Sequence, residues 1–157
     1  MRKELLGIAL SVTMVAAVHA DSLQPVMIQT LVVFSPFAEG TFTATSPLCE
    51  SGTFTTLRVI SNPSLLQGHG FTANAEYVCD DNSGTFEIQL HPQAGANYAG
   101  GTRDPEFTVA GPWSVVGGTG RYARLSGHGD FGTVIDFDKD PWTGVESFVG
   151  FAKLRKR

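Results

Sequence analysis

The chain of 157 residues is long enough for one domain and short for two. Its 42% hydrophobic content and 17% charged residues exclude a highly charged, disordered polymer. A formal net charge of -4 excludes nucleic-acid binding through a basic surface, and 18 glycines without a three-residue period exclude a collagen helix.

Arg2 and Lys3 precede a nearly continuous apolar run from Leu5 to Val18, and Val18-His19-Ala20 supplies a small-residue cleavage pattern. This is the layout of a secretory signal peptide over residues 1–20, leaving residues 21–157 as a single domain bound for the periplasm or the outside of the cell. The apolar run falls short of the 20 or so residues of a membrane helix, and no basic stop-transfer group follows it, so no stable membrane span is expected. Residues 21–152 hold 5 basic and 14 acidic side chains, a net charge of -9, whereas Lys153, Arg155, Lys156 and Arg157 make a basic tip. The tip reads as a solvated end rather than a lipid or polysaccharide anchor.

Cys49 and Cys79 are the only cysteines. An even pair in an exported chain favours one disulfide, and closing a loop of roughly 30 residues stabilises a domain by about 3–4 kcal/mol on the chain-entropy account. There is no CxxC, and His69, His91 and His128 are scattered, which disfavours zinc and thiol–disulfide exchange.

Period-two patterning runs through the rest of the chain. Val26 to Phe34 is rich in strand formers, and Gly40 to Thr45 continues the pattern. Thr53 to Ile60 is strand-like, but Leu57 and Val59 share one parity while Phe54 and Ile60 share the other. Phe71 to Cys79 alternates cleanly, DDNSG at 80–84 reads as a hairpin connection, and Thr85 to Leu90 returns with Phe86, Ile88 and Leu90 on one face. His91 to Pro105 reads as a rim loop. Short strands are expected at Phe107 to Val109 and Trp113 to Val116, and one helical turn at Arg121 to Ser126. A long strand over His128 to Phe137 places Phe131, Thr133 and Ile135 opposite His128, Asp130, Val134 and Asp136. A turn at Asp138 to Gly144 and a strand at Phe148 to Leu154 close the chain. Eight or nine short strands with short connections favour antiparallel pairing, in a closed barrel or a sandwich, with a barrel preferred because it leaves no edge.

The segment Trp113 to Phe131, WSVVGGTGRYARLSGHGDF, resembles the glycine-rich signature of the allene oxide cyclase/dirigent-like β-barrel superfamily, in particular its small exported bacterial-type members. Gly117, Gly118, Thr119, Gly120, Tyr122, Leu125, Gly127 and Gly129 carry the match, and Gly68 to Leu90 resembles the preceding strand and hairpin. The resemblance implies an all-β fold, an eight-stranded antiparallel barrel able to enclose a small hydrophobic or phenolic ligand. It transfers no catalytic residue to a numbered position. Physically, Gly117, Gly118 and Gly120 suit positive φ or close backbone approach, Tyr122 and Leu125 suit a plug for one barrel end, and Gly127 and Gly129 suit tight packing on one strand face. GGTGRYAR lacks the lysine and serine of a phosphate-binding loop.

Candidate site residues come from the polar parities. If they face a barrel interior, Glu76 or Asp130 could serve as acid or base and Arg58 could steady an oxyanion. If they face outward, they are the solvated side of a half-buried sheet, which is the preferred reading. Asp136, Asp138 and Asp140 alternate like calcium ligands but lack the glycine and closing glutamate of an EF-hand loop, so they read as a charged strand end. No metal or organic cofactor is called for. The leading expectation is an exported noncatalytic barrel that binds a small apolar or phenolic ligand, or a protein or glycan surface, and an oligomer is compatible with it. The alternatives are a cyclase or isomerase acting on a flexible hydrophobic substrate, and a structural module without a pocket. An apolar cavity with a convergent Arg–carboxylate pair would mark the enzyme, and a packed phenylalanine core the structural module.

Overall fold

The computed structural model describes residues 22–35, 37–61, 71–92, 106–136 and 138–155. The signal-peptide expectation for residues 1–20 and most of the rim loop, residues 93–105, lie outside them. Eight strands follow one another: β1 (Gln24–Phe34), β2 (Ala38–Ala44), β3 (Ser51–Ser61), β4 (Phe71–Cys79), β5 (Thr85–Leu90), β6 (Glu106–Gly118), β7 (Leu125–Asp136) and β8 (Trp142–Leu154). They pair in chain order as one closed barrel, each pair antiparallel, with β8 returning to β1. Closure gives every strand a hydrogen-bonded neighbour on both sides over part of its length and removes the free edge strands of an open sheet. The barrel, rather than the sandwich, is the architecture.

Three boundaries differ from the sequence reading. The two short strands expected at 107–109 and 113–116 are one strand, β6, which passes straight through Gly111 and Pro112. Pro112 lacks an N–H, but its carbonyl still accepts from the His91 N–H at 2.9 Å, so the chain stays extended there. The helical turn is shorter than expected, a single 3-10 turn over Gly120–Tyr122, and Leu125 already belongs to β7. β8 begins at Trp142 instead of Phe148, so Gly144 is a strand residue rather than a turn residue, and Glu146, outside both expected elements, is in the strand too. The mixed parity of β3 also has a cause: its register against β4 shifts between Thr56 and Arg58. A bulge there flips the side-chain alternation, putting Phe54 and Val59 on one side although their spacing is odd.

The interior has two unlike ends. At one end the Cys49–Cys79 disulfide, the β4–β5 hairpin and the 3-10 turn close the barrel. Tyr122 is fully buried there and meets Phe86 edge-on at 5.6 Å. Phe86 stacks on Tyr77 at 5.0 Å, Tyr77 stacks on Phe54 at 5.5 Å, and Phe42 meets Tyr77 edge-on at 5.2 Å. These rings form a solid aromatic floor. On the wall beside it, Trp113 of β6 lies over the facing pair Gly129 and Gly150 of β7 and β8, and its Nε1–H donates to the carbonyls of Asp130 at 3.1 Å and Val149 at 3.2 Å. A Cβ on Gly129 would sit 2.8 Å from that nitrogen, so the two glycines make the room that the indole occupies.

The outer wall is mixed. Met27, Leu31, Val134, Val145, Val149 and Phe151 are exposed across β1, β8 and β7, while Asn74, Glu76, Glu87 and Gln89 face outward on β4 and β5. A barrel that crosses a bilayer turns an uninterrupted apolar band outward and a polar lumen inward; here the outer wall is mixed and the interior apolar. Among the described residues no helix is long and apolar enough to cross a membrane.

Candidate functional site

Above the aromatic floor the interior is not filled. A cavity of about 190 Å³ lies toward the other end of the barrel. That end is marked by the β1–β2 turn and the end of β7. Its wall is apolar: Phe34, Phe54, Val59, Leu90, Val109, Phe131 and Ile135 surround it. Small residues create the space. Ala73 and Ala75 of β4 stand where the next inward residue, Tyr77, fills its layer completely. A dry apolar void of roughly 150 Å³ holds benzene in a well-studied protein, so this cavity has room for one ring with a short chain.

One ionisable group among the described residues lines it. Glu146 of β8 is only 7% exposed. Register explains how it is held: β1 places Thr30 directly beside it and β7 places Thr133 on the other side, so three neighbouring strands build one transverse row. Thr30 Oγ1 donates to Oε2 at 3.1 Å and Thr133 Oγ1 donates to Oε1 at 3.2 Å. Burial pushes the Glu146 carboxyl above the usual range for a glutamate, and the two threonine hydrogen bonds pull part of the way back. Tyr77 is buried beneath; its phenol is pushed well above the ordinary tyrosine value by burial and then by the Glu146 charge. The Tyr77 hydroxyl has no hydrogen-bond partner among the described residues.

The residues singled out from sequence lie elsewhere. Glu76 faces outward on β4, opposite Thr55 of β3 and Glu87 of β5. Asp130 is exposed on β7 and Arg58 is exposed at the β3 bulge. None of the three lines the cavity, and the barrel wall separates them from it. On the same outer face Asn74, which is buried, donates to Glu87 Oε1 at 2.6 Å and accepts from Gln89 Nε2 at 3.0 Å. Asp136 caps its own turn by accepting from the Asp138 N–H at 2.9 Å, and no metal-ligating cluster is found among the described residues.

The glycine segment forms a stopper. Gly120 has φ of +55°, and a Cβ there would lie 2.5 Å from the Ser83 carbonyl. Thr119 Oγ1 accepts from the Thr85 N–H at 3.0 Å, and the Arg121 N–H donates to Ser83 at 2.8 Å. These bonds dock the turn on the β4–β5 hairpin and insert Tyr122 into the barrel end. Gly118 leaves space for the Tyr122 carbonyl, Gly127 packs beside Val115, and Gly117 meets only ordinary contacts with Glu87.

Sequence reasoning missed Glu146. Its signal is period two with Phe148, but the opposite parity of β8 is also apolar, at Val145, Val149 and Phe151, so alternation does not say which face is inside. The Arg–carboxylate pair that would mark an enzyme is not found in the described lining, and the interior is neither wholly packed nor broadly open. Comparison with known proteins finds no matching family model, no similar curated protein and no similar solved structure. Fold and site together define an eight-stranded antiparallel barrel, closed at one end by aromatic rings, with an apolar cavity that has one carboxyl group among its described lining residues.

Proposed function

We propose that this chain is an exported, noncatalytic binding protein whose barrel takes up one small apolar or aromatic molecule. The observation that carries the reading is the cavity itself. A wall of phenylalanine and aliphatic side chains, with Thr56, Thr133 and Glu146 as its polar members among the described residues, gives burial for affinity and a few points of orientation, the usual composition of a small-molecule site. The aromatic floor and the disulfide hold the wall rigid, so little ordering is required on binding. The resemblance of residues 113–131 to allene oxide cyclase/dirigent-like barrels supports the same reading, since its glycine segment is what stoppers the closed end. The disulfide supports export, because such bonds persist in oxidising compartments.

A second reading has one observation in its favour. A carboxyl with a raised pKa inside an apolar cavity is suited to acid–base chemistry on a hydrophobic substrate, as in a cyclase or isomerase. No second catalytic group converges on it among the described lining residues, and binding is therefore preferred.

Stability measured with and without 2-phenylethanol tests the proposal. At a concentration one hundredfold above its Kd, a ligand of the folded state adds about 2.7 kcal/mol to unfolding stability. Absence of any stabilisation by 2-phenylethanol or by other single-ring compounds of its size would refute it.

A further inference from the structure

We propose that the cavity selects a lipophilic amine, an aromatic ring on a short chain ending in an ammonium group, with Glu146 as its counter-charge. The inference rests on the binding function proposed above and specifies the ligand.

Glu146 has unspent bonding capacity. A carboxylate offers about four lone-pair sites. Thr30 uses one on Oε2 and Thr133 uses one on Oε1, which leaves one on each oxygen. Both partners are neutral hydroxyls. A buried carboxylate is ordinarily compensated by a cation, yet no lysine, arginine or histidine lines the cavity among the described residues. The groups facing Glu146 are Thr30 on β1, Thr133 on β7 and, further off, Tyr77 on β4, of which only the tyrosine can titrate. Among the described lining residues the site therefore has no cationic side chain, and the ionised form of Glu146, which a bound cation would favour, keeps two acceptor positions.

An ammonium group supplies both needs, with charge-assisted N–H donors for the free positions. The walls suit the same ligand. Phe34, Phe54 and Phe131 line the cavity, and aromatic rings both pack well against a ligand ring and attract a cation held over them. Long-range charge acts in the same sense: residues 21–152 carry a net charge of -9, and Asp136 at the end of β7 with Asp138 and Asp140 in the connection to β8 outnumber the one cation there, Lys139. This field draws cations toward the barrel and repels anions. A fatty acid or phenylacetate would instead bring a second carboxylate against Glu146.

Three probes of one skeleton separate the possibilities by calorimetric titration of the purified protein at neutral pH: phenethylamine, 2-phenylethanol and phenylacetate. Phenethylamine should bind at least roughly tenfold tighter than the alcohol, the difference expected between charged and neutral hydrogen bonding, and phenylacetate should be weakest. Glu146→Gln, with folding checked by circular dichroism, should bring the amine down to the affinity of the alcohol. The ranking of the three probes on the unaltered protein requires no variant and stands as a test even if that substitution unfolds the chain. Alcohol binding with no preference for the amine would overturn the amine assignment while leaving the cavity function intact. A preference that survives Glu146→Gln would overturn the role of Glu146, and failure of all three probes would overturn both proposals.

Discussion

Replacing Glu146 by glutamine should change how stability depends on pH. Burial raises the folded-state pKa of Glu146, so between the ordinary glutamate value near pH 4.3 and the raised native value the folded protein holds a proton that the unfolded chain has released. The Glu146 contribution to wild-type stability must fall as pH rises through that window. Glutamine resembles the protonated acid, with one donor side and one acceptor side, and the Thr30 and Thr133 hydroxyls can each donate or accept to match it. Below the window the two proteins should differ little. Within it, the stability of Glu146→Gln relative to wild type should climb by up to about 1.4 kcal/mol per pH unit, the value of one full proton, and level off above the native pKa. All other titrating groups are common to both proteins and cancel to first order in the difference. Urea unfolding followed by fluorescence of the buried Trp113, at unit steps from pH 4 to pH 8, gives the curve directly. A difference that stays flat across this range would show that Glu146 titrates as an exposed glutamate does, and the reasoning from burial would fail.

Gly129→Ala should destabilise by about 2–4 kcal/mol, combining overpacking against Gly150 with loss of the two Trp113 Nε1 hydrogen bonds, and denaturant unfolding would measure it. An effect below ~0.5 kcal/mol would mean that the indole does not occupy the space these glycines leave. Serine at both Cys49 and Cys79 should cost about 3 kcal/mol, read as a lower thermal midpoint than the oxidised protein, because the crosslink closes a loop with a sequence separation of 30. An unchanged midpoint would contradict that contribution. Ala75→Leu should leave the barrel folded and abolish the stabilisation by 2-phenylethanol, since the added side chain enters the cavity; full retention of the ligand effect would place the ligand elsewhere.

How much of this was legible in the sequence depended on whether one parity of a strand was polar. β4 and β5 alternate with polar outer faces, and their inward residues Ala73, Ala75, Tyr77, Phe86, Ile88 and Leu90 follow directly from that pattern. The same rule placed Phe131, Thr133 and Ile135 opposite Asp130. It fails for β8, where Val145, Val149 and Phe151 face outward while Gly144, Glu146 and Gly150 face inward, so hydrophobicity favours neither side. It fails again in β3, where the bulge near Thr56 reverses the alternation partway along. The candidate acids were chosen for their polar parity. In an antiparallel barrel with an aromatic interior that parity marks the solvated wall, and Glu76 and Asp130 lie on it. Glu146 becomes visible only when the register sets Thr30 and Thr133 beside it, because β1, at the far end of the sequence, joins the consecutive strands β7 and β8 to make the row. Closure was similarly hidden: the pairing of β1 with β8 joins residues more than a hundred positions apart, and no local pattern encodes it.

The central claim is that a ligand enters the barrel between β1, β4, β7 and β8, beside Glu146. Assigned NMR spectra recorded during titration with 2-phenylethanol test it most directly. The account predicts shifts and ligand-to-protein Overhauser contacts at Ala75, Phe54, Phe131 and Thr133, which line the cavity, and none at Met27, Val149 and Phe151 on the outer wall. Contacts confined to the outer-wall residues, with the cavity signals unmoved, would contradict it.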